Sequence, residues 1–274
     1  MSMDHESFAR LEREGWERVA SDYDRWWSPL TRQFVEPLLD AAEVKAGSRV
    51  LDLACGPGYV SEAAAARGAV PLGLDFSPAM VAIARKRLPG ISFEVGDAQR
   101  IAQPDAAFDA VVMGFGILHL PEPEHCLAEA RRVLRPGGWF AFSVWGEPSE
   151  CPGARIVSDA IEKHADLSVP LPKGPDMLRF ADPASCRESL ASAGFPAESY
   201  RRTTRSAAFR IPTPEFLFEA ERDGGVRVAA LLARQSPERL AAIRAAIERG
   251  VAAFPSGDAY ELPMTAHVVS ARRA

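Results

Sequence analysis

Short apolar runs and amphipathic stretches alternate from about residue 38 to 146, the pattern of a parallel sheet with crossover helices. Residues 48–53 (Ser-Arg-Val-Leu-Asp-Leu) predict a strand ending at the loop Ala54-Cys55-Gly56-Pro57-Gly58. The alanine-rich stretch 59–67 predicts a helix that Gly68 ends, and 70–75 predicts the second strand. Ser77-Pro78 opens the next helix as N-cap and first helical residue. Arg85-Lys86-Arg87 stand at its far end, where the helix dipole favours cations. Residues 91–95, 108–115 and 139–145 read as further strands, with a helix over 122–134 closed by Pro136-Gly137-Gly138.

Beyond Gly146 the regularity breaks, with six prolines between 148 and 183. The pattern leaves helices near 155–164, from Asp182-Pro183 to 193 and over most of 214–249, and strands over 198–211 and 260–270. Residues 8–39 read as helices bearing Trp16, Tyr23, Trp26 and Trp27. The expected fold is α/β: a Rossmann-like, seven-stranded, mostly parallel sheet flanked by helices, with a mainly helical cap over the strand C-termini. The core is assigned to 38–146, 182–211 and 258–274. Residues 1–37 are expected to form an N-terminal helical lid, and 147–181 and 212–257 to be cap insertions, at the end of the sheet where open α/β folds bind ligands.

The 274 residues, 47% hydrophobic and 25% charged, describe a folded globular chain. A net charge of −5 without a long basic run argues against a nucleic-acid partner. The longest uncharged apolar stretch, 110–121, is too short to span a bilayer, and the polar, acidic start is unlike a secretory leader. No membrane partner and a cytoplasmic location are therefore expected. Cys55, Cys126, Cys151 and Cys186 are irregularly spaced and read as reduced thiols, and the five histidines are scattered, so no metal site is expected.

The glycine loop permits close backbone approach of a ligand, and its neighbours decide which. A dinucleotide places a pyrophosphate at the helix N-terminus, where the carboxylate of Asp52 is unwelcome; Ser61 also stands where the third glycine of G-x-G-x-x-G belongs. S-adenosylmethionine carries instead an α-ammonium, a sulfonium, a ribose diol and an adenine, all of which acids can serve. Asp52 can attract the ammonium directly or through water, Asp75 can accept from both ribose hydroxyls, and Asp97 from the adenine amino group.

Residues 50–58 (Val-Leu-Asp-Leu-Ala-Cys-Gly-Pro-Gly), Gly73-Leu74-Asp75-Phe76-Ser77, Gly96-Asp97-Ala98 and Leu134-Arg135-Pro136-Gly137-Gly138 closely resemble the class I SAM-dependent methyltransferases. The nearest likeness is to the branch of the ubiquinone and menaquinone biosynthesis enzymes, and the motifs lie within 48–145. The resemblance implies cofactor contacts from Asp52, Ala54, Cys55, Gly56 and Gly58 at the methionine end. It implies contacts from Asp75, Phe76 and Met80 at ribose and adenine, from Asp97, Ala98 and Gln99 at the adenine edge, and from Gly114 and Phe115 near the sulfonium. Ala54 departs from the glycine that the family often has. Tyr23 and Trp27 are expected to cover the cofactor, the indole by cation–π attraction, although helix packing would account for the tryptophans equally well.

Methyl transfer is an in-line displacement that depends mainly on alignment. His119 is a candidate base or a structural hydrogen-bonding residue, and Tyr23 a second catalytic candidate. The chain lacks the Asn/Asp-Pro-Pro-aromatic loop of amino-group methylation after its fourth strand, having Gly114-Phe115-Gly116-Ile117. A small-molecule acceptor is expected, O- or C-methylated, with S-adenosyl-L-homocysteine as coproduct and a monomer or homodimer as the assembly. Use of bound SAM for another reaction, a nicotinamide oxidoreductase and a non-catalytic cofactor-binding module are the alternatives.

Overall fold

A computed structural model describes residues 4–274. Its eight strands are β1 (Arg49–Leu53), β2 (Val70–Asp75), β3 (Ser92–Val95), β4 (Phe108–Gly114), β5 (Leu134–Trp145), β6 (Arg201–Ile211), β7 (Pro255–Ser256) and β8 (Ala259–Arg272). They form a mixed, mostly parallel Rossmann-like sheet in the order β3-β2-β1-β4-β5-β8-β6, with β7 beside β8. The pairs β1–β2, β2–β3, β1–β4 and β4–β5 are parallel. β8 runs antiparallel to β5, since Gly137 N–H donates to Arg273 O and Gly146 N–H to Thr265 O. The two-residue β7, a hairpin partner of β8, adds an eighth strand to the seven expected.

The chain divides into two compact units. The second, residues 31–144, 175–205 and 266–274, contains the parallel strands. Their side chains alternate between two apolar layers, as period-two strands require. Leu51, Leu53, Val111, Met113, Phe140 and Phe142 pack with Leu127 and Ala130 of the helix Pro123–Val133 and with Leu190 of the helix Pro183–Ser192. Val50, Ala110, Val112 and Ala141 pack with Leu38 and Leu39 of the helix Val35–Ala41 and with Val60 and Ala64 of the helix Tyr59–Ala66. Because Val35, Leu38 and Leu39 are buried in that layer, this unit starts at Thr31, ahead of the expected boundary at residue 38.

The first unit comprises the described residues up to Leu30, 145–174 and 206–265. It is mainly helical, with His5–Val19, Tyr23–Trp26, Pro152–His164, Glu215–Asp223, Arg227–Leu232 and Pro237–Val251. The helical stretch expected over 214–249 is interrupted at Gly224-Gly225 and at Ser236-Pro237, where Ser236 caps a new helix by accepting from Arg239 N–H. No described helix is long and apolar enough to cross a membrane.

One strand differs from expectation. β5 starts at Leu134, not Trp139: Leu134 pairs with Phe108 and Trp139 with Ala110, a register shift that absorbs the intervening Pro136-Gly137-Gly138 as a bulge. Gly137 takes φ +81° there, so residues that look like a helix stop serve as a bend within the strand.

Candidate functional site

Parallel pairing puts the C-terminal ends of β1, β2, β3 and β4 at one edge of the sheet. The loops 54–58, 76–77, 96–99 and 115–119 follow from that edge, and Asp75 ties three of them together. Its Oδ2 accepts from Gly56 N–H at 2.8 Å and its Oδ1 from Ser77 N–H at 2.9 Å. Its carbonyl accepts from Gly96 N–H at 2.9 Å. A carboxylate has about four acceptor sites, more than these two backbone bonds use.

The glycine loop is sharply folded. Ala54 (φ +51°), Gly56 (+51°) and Gly58 (+87°) all lie in the left-handed region. The conformation explains the family's preference for glycine at Ala54, where a Cβ is disfavoured. A Cβ on Gly58 would come within 2.9 Å of Phe93, whereas one on Gly56 would meet nothing within 4 Å. Gly58 is required by crowding and backbone, and Gly56 leaves an open face that a ligand can approach. Cys55 is buried with its sulfur toward the backbone of Gly73; burial pushes its thiol pKa up. Within the loop that thiol donates to Gly56 O at 3.7 Å.

Asp52 is fully buried in β1. Its Oδ2 accepts from Ser61 N–H at 3.0 Å and from Ser61 Oγ at 2.6 Å, while its Oδ1 is buried without a hydrogen-bond partner among the described residues. Burial pushes its pKa up to about 7; the charge of Asp75 adds to this and the bonds from Ser61 oppose it. Ser61, read from sequence only as a missing glycine, is the residue that orients Asp52. The sequence held that clue in its three-residue offset from Gly58, one helical turn into Tyr59–Ala66.

At the end of β4, Phe115 also takes a left-handed conformation (φ +57°). Its N–H donates to Ser143 Oγ at 3.1 Å, and its ring meets Phe34 edge-on at 5.5 Å. A Cβ on Gly116 would lie 2.6 Å from that of Ala54, so the β1 and β4 loops touch. Gly114 is looser, with Val60 at 3.5 Å from a built Cβ. His119, half-buried, ends the 3₁₀ turn Ile117–His119. After β3, Asp97 is exposed and fixes its own turn, its Oδ1 accepting from Gln99 N–H (2.8 Å) and Nε2 (3.2 Å). Gln99 Oε1 in turn accepts from Glu122 N–H. Ala98 and Met80 are buried, and Phe76 is half-buried. Met80 N–H donates to Ser77 Oγ at the start of the helix Pro78–Arg87.

Fourteen of the expected cofactor and catalytic positions therefore gather in the second unit: Asp52, Ala54, Cys55, Gly56, Gly58, Asp75, Phe76, Met80, Asp97, Ala98, Gln99, Gly114, Phe115 and His119. Tyr23 and Trp27 belong to the first unit. There Tyr23 packs edge-on against Trp16 at 6.0 Å, and Trp27 stacks on Phe209 at 5.8 Å. Among the described residues no cluster of three His, Cys, Asp or Glu could hold a metal.

The chemistry of this edge suits S-adenosylmethionine. A buried carboxylate oxygen without a partner calls for a donor or a cation, the Gly56 face is open, and Asp75 can serve a diol. No Lys or Arg stands among residues 52–61, 75–77 or 97–99, and Arg87, which reaches the glycine loop, is engaged by Pro57 O and Glu62.

The family model described as "Methyltransferase domain" matches residues 51–142. A demethylmenaquinone methyltransferase of Renibacterium salmoninarum is 38% identical over 129 residues, which cover 47% of this chain and 54% of the relative. One of Beutenbergia cavernae is 33% identical over 196 residues, 66% of this chain and 76% of the relative. The chain spans about half the length of the first curated relatives it matches. In fold it is similar to the YcgJ protein of Bacillus subtilis, with a TM-score of 0.57 at 16% identity, covering 88% of this chain and 98% of the other. With those motifs on a sheet of this topology, the chain belongs to the class I SAM-dependent methyltransferases, in the branch of the quinone-biosynthesis enzymes.

Proposed function

We propose that the chain binds S-adenosylmethionine at the β1–β4 edge and transfers its methyl group to a small organic acceptor, at oxygen or carbon. The observation that carries this reading is the buried Oδ1 of Asp52, without a hydrogen-bond partner among the described residues, beside Asp75, whose charge acts on it from the next strand end. In this reading Asp52 holds the ammonium directly or through one water, Asp75 takes the ribose hydroxyls, and Asp97 with Ala98 borders the adenine. Bound SAM supplies an electrophilic methyl on a leaving group that departs as neutral thioether.

The chain's own task is alignment and exclusion of water, which can supply much of the rate through effective molarities of order 10⁵ to 10⁸ M. The acceptor's O–H or C–H proton leaves as the new bond to carbon forms. His119, at the β4 loop, is the residue proposed to receive it or to hold the acceptor by a hydrogen bond. The names of the curated relatives, demethylmenaquinone methyltransferases, favour an aromatic, apolar acceptor. Acceptor choice is assigned to the first unit, the part of the chain richest in tryptophan and poorest in family motifs.

The test is a panel of hydroquinones, phenols and non-aromatic hydroxy acids incubated with methyl-labelled SAM. Label in a hydroquinone or phenol product supports the reading, and consumption of an acceptor without transfer of label contradicts it. His119→Ala separates the two roles: loss of turnover with unchanged SAM affinity identifies a base, and a raised KM with unchanged kcat identifies a positioning residue.

A further inference from the structure

The helix Pro152–His164 carries Arg155, Asp159 and Lys163 at four-residue spacing, one stripe of its surface, and Ile156, Ala160 and His164 on the stripe beside it. The helix Pro237–Val251 of the same unit packs along it. Gly250 makes this close approach possible: a Cβ there would lie 2.7 Å from Ile156 Cγ2. Between the two helices runs a cavity of about 210 Å³, floored by Ile156, Ala160, Ala246 and Phe254 and rimmed by Arg155, Lys163 and Arg249.

Two features of this cavity call for a ligand. The first is charge. Three cations face one carboxylate, Asp159, on a chain whose net charge is −5. On the same helix as Arg249, Arg244 is bonded to Glu248 at 2.6 Å and Arg239 to the carbonyl of His164 at 3.0 Å. The side chains of Arg155, Lys163 and Arg249 are exposed and make no ion pair or hydrogen bond with any described residue, and Asp159 makes none either. The second feature is His164. Its Nε2 is fully enclosed without a hydrogen-bond partner among the described residues, and its residue lines the cavity. Buried polar atoms in native proteins are almost always satisfied.

From these we propose that the cavity between the helices Pro152–His164 and Pro237–Val251 binds a small organic anion, its charged head among Arg155, Lys163, Arg249 and His164 and its apolar body over Ile156 and Phe254. A bare inorganic anion would use the rim and leave the apolar floor uncovered. None of its residues belongs to the loops at the ends of β1 to β4, so the proposal does not rest on S-adenosylmethionine binding there, although the cavity lies in the unit to which acceptor choice is assigned.

The test is calorimetry of the full chain with phenyl phosphate, benzoate and inorganic phosphate. At least one aromatic anion is expected to bind with unit stoichiometry, about tenfold more tightly than inorganic phosphate. Arg249→Gln combined with Lys163→Gln should weaken that binding about tenfold or more. Asp159→Asn, which removes the competing carboxylate, should tighten it several-fold. These opposite signs are not expected of general loosening, and thermal melting of each variant verifies that it is folded. SAM affinity should stay unchanged in all of them. Absence of binding, insensitivity to both the Arg249/Lys163 and Asp159 changes, or displacement of the anion by S-adenosylhomocysteine would each overturn the proposal.

Discussion

The loops at the ends of β1 and β2 and the helices of the first unit are built by different means. In the loops, carboxylates hold backbone N–H groups: Asp75 takes those of Gly56 and Ser77, and Asp52 that of Ser61. In the first unit, side chains from distant parts of the sequence hold one another. Trp26 packs against Phe216, Trp27 on Phe209, and Phe209 against Phe216; buried Glu12 is bonded to Arg227 at 2.6 Å. The loops are thus fixed by local geometry that a short motif can encode, and the helices by packing that many sequences could satisfy. A shared cofactor suits the first kind of construction, and a variable acceptor suits the second.

The comparison predicts that damage in the two regions registers differently. Trp26, 3% exposed among aromatic partners, is a core residue of the first unit. Trp26→Ala should cost about 3 to 5 kcal/mol of stability, read by urea unfolding. A loss under about 1 kcal/mol would show that the aromatic cluster does not hold this unit together.

Next comes the buried acid. Asp52 has a folded pKa of about 7 against an ordinary 3.8, so between those values the folded chain keeps a proton that the unfolded chain has lost. The contribution of Asp52 to the stability of the ligand-free protein should therefore be greatest below about pH 4, fall as pH rises toward 7 and level off above it, by a few kcal/mol, against the opposite slope of carboxylates such as Glu129 and Asp182, whose hydrogen bonds lower their pKa. Glu221, which burial likewise raises to about 7, adds a slope of the same sign as that of Asp52. Asp52→Asn should flatten the profile measured between pH 4.5 and 8, and a profile unchanged by that substitution would contradict the burial argument.

Asp75→Ala removes the acceptor of two backbone N–H groups and the proposed partner of the ribose. It should weaken SAM binding about 100-fold, equivalent to about 3 kcal/mol, with the far-ultraviolet circular dichroism retained. An affinity within threefold of the original would remove Asp75 from the site. The smallest effect is Ala54→Gly, which relieves a left-handed alanine. If the gain outweighs the entropy that glycine adds to the unfolded chain, stability rises by about 1 kcal/mol or less, a small upward change in Tm. A fall in Tm would mean that the Ala54 methyl, which faces Gly116, contributes more by packing and by restricting the unfolded chain than its backbone conformation costs.

The same contrast explains what could be read from the sequence. Ser77-Pro78 and Asp182-Pro183 start helices because their side chains accept the N–H of Met80 and Ser185, local chemistry visible in a few residues. The acids of β1 and β2 were legible because a strand followed by a glycine loop fixes where they must lie. Pro136-Gly137-Gly138 misled because the neighbouring β4 lets a bulge continue the strand through it. Ser61 looked like a defect in a glycine fingerprint because its partner, Asp52, lies nine residues earlier and on another element. The pairing of Trp27 with Phe209 spans most of the chain, and no local pattern announces it.

The claim on which the rest depends is that the carboxylates at the ends of β1 and β2 select a cationic nucleoside cofactor and reject a pyrophosphate. Titration calorimetry of the purified chain with S-adenosylmethionine, S-adenosylhomocysteine and NAD tests it directly. The account predicts saturable binding of the first two at one site per chain and no detectable heat from NAD. Binding of NAD with no response to S-adenosylmethionine would contradict it.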